Sequence, residues 1–245
     1  MILRCCILCL TFASTGYAGE VTVAVASNFL TTLQKVADGF TAETGHTVRI
    51  VNGSTGTLYA QITKAAPYDV FLSADQERVT LLAEAGKLLN GMHKPYAVGT
   101  LVLYAREAGV LRSDLKASLE AKYLRHFAMA DPATAPYGLA ASEVLQWLEI
   151  NEKTMQKAVM GANIGQAFGF VKTGNAQIGF VALSQAMTAG GEWLDISSDH
   201  YTPIVQAVGL LAHAKDNSAA QEFYDYLSSD AAQTVLRNAG YRLPQ

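Results

Sequence analysis

The 245-residue chain predicts an α/β protein of two lobes, each a mostly parallel sheet flanked by helices, with two crossings of the chain between them. Two observations point there. Apolar, β-branched runs alternate with segments of helical spacing, the pattern of parallel strands joined by right-handed crossovers. Long apolar strands at 97–104 and 204–212 then bracket a middle unit of about 100 residues, itself the size of a domain. The boundaries expected are 19–98 plus 203–245 for lobe 1 and 99–202 for lobe 2. A single doubly wound domain is the alternative, since neither a repeat nor a low-complexity linker marks a join.

The elements follow in order. Val21–Ala26 reads as a buried strand. Phe29, Leu30, Leu33, Val36, Ala37 and Phe40 recur at helical spacing, with Ser27 or Asn28 as the expected cap and Gly45 beyond the end. Val48–Val51 is a second strand, followed by the turn Asn52-Gly53-Ser54-Thr55-Gly56 and a helix with Leu58, Ile62 and Ala65 on one face. Asp69–Ala74 is a third strand, and Asp75 is expected to open a helix carrying Val79, Leu82 and Leu89. The middle unit begins with Phe127–Ala130, a loop from Asp131 to Gly138, and a helix through Val144, Leu145 and Leu148. A strand at Gln177–Val181 and a helix at Leu183–Ala189 come next, and residues 216–240 read as one helix.

Composition excludes several classes. Half the residues are apolar and only 16% are charged, which rules out a disordered chain or a coiled coil. A formal net charge of −3 leaves no basic footprint for nucleic acid or an anionic membrane. All three cysteines (Cys5, Cys6 and Cys9) lie in the first ten residues. There Arg4, a short apolar run and small residues at Gly16 and Ala18 have the anatomy of a secretory signal peptide, residues 1–18, cleaved after Ala18. A lipid anchor at Cys9 fits poorly with Cys6-Ile7-Leu8 before it. The exported chain then carries no cysteine, which excludes a thiol nucleophile, a zinc–cysteine site and a redox pair.

Ligands of open parallel sheets sit beyond the C-terminal strand ends, where helices begin. Two such corners carry hydroxyls: Ser27-Asn28 after the first strand and Gly53-Ser54-Thr55-Gly56 after the second. Backbone N–H groups and a hydroxyl at a helix N-terminus accept an anion without Lys or Arg. Taken singly, each serine reads as an ordinary helix cap. Asp131–Gly138, with Pro136 starting a helix, and Gly161-Ala162-Asn163-Ile164-Gly165 are similar loops in the middle unit.

Rival chemistry is weak. Gly-Ser-Thr-Gly is not the Gly-x-Ser-x-Gly of a nucleophile elbow, though Ser54 sits between a strand and a helix. The histidines that could serve it (His93, His126, His200, His213) have no distinctive neighbours, and His46 lies upstream. Neither a phosphate-binding Gly-x-x-x-x-Gly-Lys-Ser/Thr nor a dinucleotide Gly-x-Gly-x-x-Gly occurs, and the histidines show no short metal-ligand spacing. Tyr224, Tyr226, Trp147 and Trp193 read as packing or surface residues.

Taken together, Val23–Phe29, Asn52–Gly56, Ala66–Asp75, Asp131–Gly138, Lys172–Val181 and Ala239-Gly-Tyr241 run in the order of a known family. The chain resembles the periplasmic molybdate-binding proteins of bacterial ABC importers, over essentially its whole mature length. The resemblance implies the type II periplasmic-binding-protein fold and a tetrahedral dianion, molybdate or tungstate, held between the lobes. It assigns the contacts to Ser27 with Asn28, to Ser54, and to the backbone N–H groups of Tyr137 and Ile164. Some members add a tyrosine hydroxyl after the strand at 178–181, where this chain has Ala182. It further implies a periplasmic monomer that serves a membrane permease, needs no cofactor, binds no nucleic acid and catalyses nothing. A binding protein for another oxyanion, such as sulfate, is the alternative within the same fold.

Overall fold

A computed structural model describes residues 18–244 of the chain, so the expected signal peptide lies outside the described residues but for Ala18. The first lobe opens with β1 (Glu20–Ala26), a 3-10 turn at Ser27–Phe29, α1 (Leu30–Thr44), β2 (Thr47–Gly53), α2 (Thr55–Thr63), β3 (Val70–Ser73), α3 (Glu77–Glu84) and β4 (Leu88–Gly99). The chain crosses at Thr100 into β5 (Leu101–Ala105), α4 (Leu115–Leu119), β6 (Phe127–Ala130), α5 (Pro136–Trp147), α6 (Glu152–Met155), β7 (Ala158–Gly161), α7 (Ile164–Lys172), β8 (Ile178–Ala182), α8 (Leu183–Ala189) and β9 (Glu192–Asp195). It returns through Tyr201–Pro203 to β10 (Ile204–Leu211), α9 (Ser218–Tyr226) and α10 (Asp230–Asn238).

Two five-stranded sheets result, ordered β2-β1-β3-β10-β4 and β7-β6-β8-β5-β9. Strands joined by helical crossovers pair in parallel: β1 with β2 and β3, and β6 with β7 and β8. The strands that carry the crossings, β10 and β5, pair antiparallel on both sides. Each sheet is therefore mixed, with fewer parallel pairs than strand–helix alternation alone suggested. The two passages run side by side, Ile204 opposite Gly99, and the Leu101 N–H donates to the Tyr201 hydroxyl at 3.2 Å.

Alternation along β1 divides the lobe 1 core. Val21, Val23 and Val25 pack with Phe29, Leu33, Phe40, Phe223 and Leu236 beneath α1, α9 and α10. Ala24 faces Leu58, Ile62, Phe71 and Leu82 beneath α2 and α3. Lobe 2 has its own core around Leu103, Phe127, Tyr137, Val144 and Phe180. Gly45 ends α1 at φ 76°, a left-handed conformation natural to glycine.

Several local expectations need correction. Neither Ser27 nor Asn28 caps α1, because a 3-10 turn intervenes and the Ser27 hydroxyl donates to the Gly53 carbonyl at 2.8 Å. Helix α3 starts at Glu77; Asp75 precedes it and accepts from the Arg78 N–H at 3.1 Å. Leu89 belongs to β4, not to that helix. The run at 97–104 is two strands in different sheets. The 216–240 segment is two helices, broken where Ser229 caps α10 by accepting from the Ala232 N–H.

Candidate functional site

The two serine corners meet because β1 and β2 are in-register parallel neighbours, ending together at Ala26 opposite Gly53. The Ser27 hydroxyl ties one strand end to the other. Ser54 is the N-cap of α2: its Oγ accepts from the Thr57 N–H at 3.2 Å and donates to the Thr57 hydroxyl at 2.7 Å. Thr55 reaches the third strand end, its hydroxyl oxygen accepting from the Ala74 N–H at 3.0 Å.

The opposing lobe brings two more helix starts. Pro136 occupies the first position of α5 with Ala135 as an N-cap that makes no side-chain hydrogen bond. In α7 the Asn163 side chain accepts from the Gln166 N–H at 2.9 Å, and Ile164 is the first helical residue. First-turn N–H groups have no intrahelical acceptor, so those of Tyr137 and Ile164 are available to a ligand.

All five residues singled out from sequence, Ser27, Asn28, Ser54, Tyr137 and Ile164, line one narrow interlobe cavity. The other lining residues are small or apolar apart from Thr55 and Asn163, and not one carries a charge. Among the described residues no histidine lines it, so Ser54 lacks a general base and a serine-hydrolase arrangement is not formed. The described residues also hold no cluster of three or more His, Cys, Asp or Glu suited to a metal ion. A larger interlobe groove shares Ala74, Ala135 and Pro136 with this cavity. Of its three charged members, Asp75, Glu77 and Arg78, the first and last pair with each other.

The lobes are closed on one another at the cavity. The Gly56 N–H donates to the Thr134 carbonyl at 2.9 Å, and a Cβ at Gly56 would come within 3.1 Å of the Thr134 backbone. The glycine therefore permits an approach that any side chain would crowd. Arg78 Nη2 reaches the Ala133 carbonyl at 3.4 Å.

Behind the cavity lies a buried polar cluster that sequence reasoning missed. The Asn28 side chain turns away from the opening, and its Nδ2 donates to Gln206 Oε1 at 2.9 Å and to the Tyr241 hydroxyl at 3.1 Å. Only the backbone N–H of Asn28 is thus left for a ligand. The Asn28 carbonyl accepts from the hydroxyls of Tyr241 (3.0 Å) and Ser184 (3.3 Å), which lie 3.0 Å apart. Burial pushes the Tyr96 and Tyr137 hydroxyls well above the ordinary tyrosine pKa, and that of Tyr241 up to about 12. All three are neutral hydrogen-bonding groups. Gln206 gave the one usable signal in sequence, a polar residue within an apolar strand.

Ala182 does not line the cavity. It is buried before α8, its N–H held by Gln185 Oε1 at 3.1 Å. From this corner it is Ser184 that reaches the Asn28 turn, and it does so from behind.

Comparison with known proteins places this architecture. The family model described as bacterial extracellular solute-binding protein matches residues 21–242. The chain is 43% identical over 236 residues to the molybdate-binding protein ModA of Azotobacter vinelandii, covering 94% of this chain and 93% of that protein. It is 41% identical over 236 residues to ModA of Rhodobacter capsulatus, covering 96% and 92%. The solved Azotobacter vinelandii periplasmic molybdate-binding protein superposes with a TM-score of 0.88 at 37% identity, over 92% of this chain and all of that one. By sequence and by fold, along nearly its whole described length, the chain belongs to the bacterial extracellular solute-binding protein family.

Proposed function

We propose that this protein captures molybdate, and tungstate also, in the cavity between its lobes and delivers it to the membrane permease of an ABC importer. The lobes are 19–98 plus 203–245 and 99–202, and the protein works as a periplasmic monomer after loss of residues 1–18. The contacts come from the hydroxyls of Ser27 and Ser54 and from the backbone N–H groups of Asn28, Tyr137 and Ile164. One observation carries the reading: the first turns of α2, α5 and α7, with the turn at Ser27–Phe29, converge on one cavity without a charged side chain.

That arrangement suits a dianion that keeps no proton. Hydrogen bonds to a charged acceptor are about twice as strong as neutral ones, and the helix N-termini add a favourable field. The donor set also selects. Monoprotonated phosphate brings an O–H that needs an acceptor, and leaving it unmet costs about 1–3 kcal/mol. Sulfate carries the same charge as molybdate, so cavity size has to reject it. Tungstate matches in both respects.

Both serine hydroxyls now donate to protein acceptors, Gly53 O and Thr57 Oγ1. On binding, each O–H turns toward the anion, which replaces a neutral acceptor by a charged one. Isothermal calorimetry tests the assignment: molybdate and tungstate are expected to bind 1:1 and tightly, sulfate and phosphate far more weakly. Equal affinity for sulfate would overturn the selectivity argument, and preference for sulfate would make the protein a carrier of that anion.

A further inference from the structure

The Tyr137 residue belongs to two sites at once. Its backbone N–H opens onto the cavity in the first turn of α5, while its side chain, 1% exposed, reaches the hinge. A Cβ on Gly99, the last residue of β4 before the crossing, would overlap the Tyr137 hydroxyl and lie 2.9 Å from Gln206 Nε2. The absence of a side chain at Gly99 is what admits the phenol from α5.

Three buried side-chain atoms in this cluster have no hydrogen-bond partner: Asn28 Oδ1, Tyr137 Oη and Gln206 Nε2. Their chemistry is complementary, being an acceptor, a donor–acceptor and a donor. The rest of the two carboxamides is already fixed, because Gln206 Oε1 accepts from Asn28 Nδ2 and from the Tyr96 hydroxyl, both at 2.9 Å. One arrangement satisfies all three atoms. Gln206 Nε2 donates to the Tyr137 oxygen, the Tyr137 hydroxyl donates to Asn28 Oδ1, and the existing Asn28–Gln206 bond closes the ring. Asn28 and Gln206 belong to lobe 1 and Tyr137 to lobe 2, so the ring forms only when the lobes are shut.

We propose that the Tyr137 side chain is the closure lock of the binding cycle: its hydroxyl completes a ring with Asn28 and Gln206 beside Gly99, and this holds the closed form and slows release of the anion. The inference rests on the oxyanion-binding reading above and deepens it. Tyr137 and Asn28 each offer a backbone N–H to the cavity and a side chain to the ring, so filling the cavity and completing the ring draw on the same two residues. Tyr137 acts here as a positioning residue.

The test is the rate of release of isotope-labelled molybdate into excess unlabelled anion, for the parent and for Tyr137→Phe, which keeps the backbone donor. Release is expected to quicken about tenfold in the variant, by a larger factor than any change in association. Gln206→Leu is expected to quicken release similarly, and the double variant to add nothing further. Gly99→Ala, whose methyl group contests the hydroxyl's place, is a third route to the same effect. Release from Tyr137→Phe at the parental rate or slower overturns the lock, since removing a hydroxyl that stays unpaired in the closed form relieves that form. A parent that binds sulfate but not molybdate corrects the ligand, and the same rates are then read with labelled sulfate. A parent that binds no oxyanion overturns the functional reading, and the lock with it.

Discussion

Replacing Ser54 by Asp separates the structural duty of this residue from its duty to an anion. Ser54 caps α2 by accepting from the Thr57 N–H, and Asp is as good an N-cap as Ser. The helix, and with it the fold, is expected to survive. An aspartate in the cavity, however, meets the dianion at close range. At about 4 Å and an effective dielectric of about 20, one charge against two is unfavourable by about 8 kcal/mol. The protein escapes part of this by protonating the carboxyl, which at pH 7 costs about 4 kcal/mol from an ordinary pKa of about 3.9. The smaller figure governs, so affinity is expected to drop about a thousandfold at pH 7. Because binding then takes up a proton, the affinity of the variant should fall about tenfold for each pH unit from 6 to 8, whereas that of the parent stays level. Calorimetry across that range, with a thermal melt of the ligand-free variant as control, measures both parts. Binding within threefold of the parent, in a variant that melts normally, would show that Ser54 does not face the anion.

Ser27→Ala loses a donor to a charged ligand, worth about 1.5–3 kcal/mol, but the parent gives up its own bond to Gly53 O, worth about 1 kcal/mol. Affinity for molybdate should therefore fall roughly two- to thirtyfold by calorimetry, and an unchanged value would remove Ser27 from the site. Small-angle scattering should show compaction when molybdate is added, and identical curves would count against hinge closure. Alkaline stability follows from the buried phenols. The Tyr241 pKa stands at about 12 in the folded protein, above its unfolded value, so its contribution is complete below about pH 10 and is lost as pH rises toward 12. Urea denaturation should show a level plateau to about pH 10 and then a loss of about 3 kcal/mol by pH 12, which Tyr241→Phe should reduce.

The two-lobed fold and the placing of the serine corners at adjacent strand ends were legible in the sequence because they rest on local pattern. Val21–Ala26 is apolar on both faces since helices cover both, and a strand followed by a hydroxyl at a helix start looks the same in one dimension as in three. What escaped was whatever depends on partners far along the chain. Asn28 resembles a cap, and only the folded chain shows its carboxamide turned toward Gln206, 178 residues away. The run at 97–104 is continuous in hydropathy, yet it changes sheets at Thr100 because β4 pairs with β10 and β5 with β8. Hydropathy reports burial and not partner, so it placed a crossing near this run without showing that the run itself divides between two sheets. The break at Ser228-Ser229 was readable in principle, from a serine cap ahead of Asp230, but the apolar spacing on either side masked it.

Ligand capture by neutral donors, as proposed above, gives a reason for the polar cluster to sit at the hinge and not at the surface. On the proposed site, Ser27, Asn28 and Ser54 of lobe 1 alone leave an anion half hydrated, and Tyr137 and Ile164 of lobe 2 alone do the same. Water competes for it until the lobes meet. Closure therefore has to be nearly balanced without ligand and decisive with it, since a ligand shifts an equilibrium only by its differential affinity for the two states. An apolar hinge packed to native density would favour the shut form whether or not an anion were present. A buried ring of carboxamides and a phenol behaves differently. As proposed, shut and fully bonded it gains about the 1 kcal/mol of a net hydrogen bond over its hydrated open form, whereas shut and misaligned it is penalised more heavily. Such a device rewards only a closure accurate enough to align Tyr137 with Asn28 and Gln206. The cavity's own N–H groups need that same accuracy to converge on one anion.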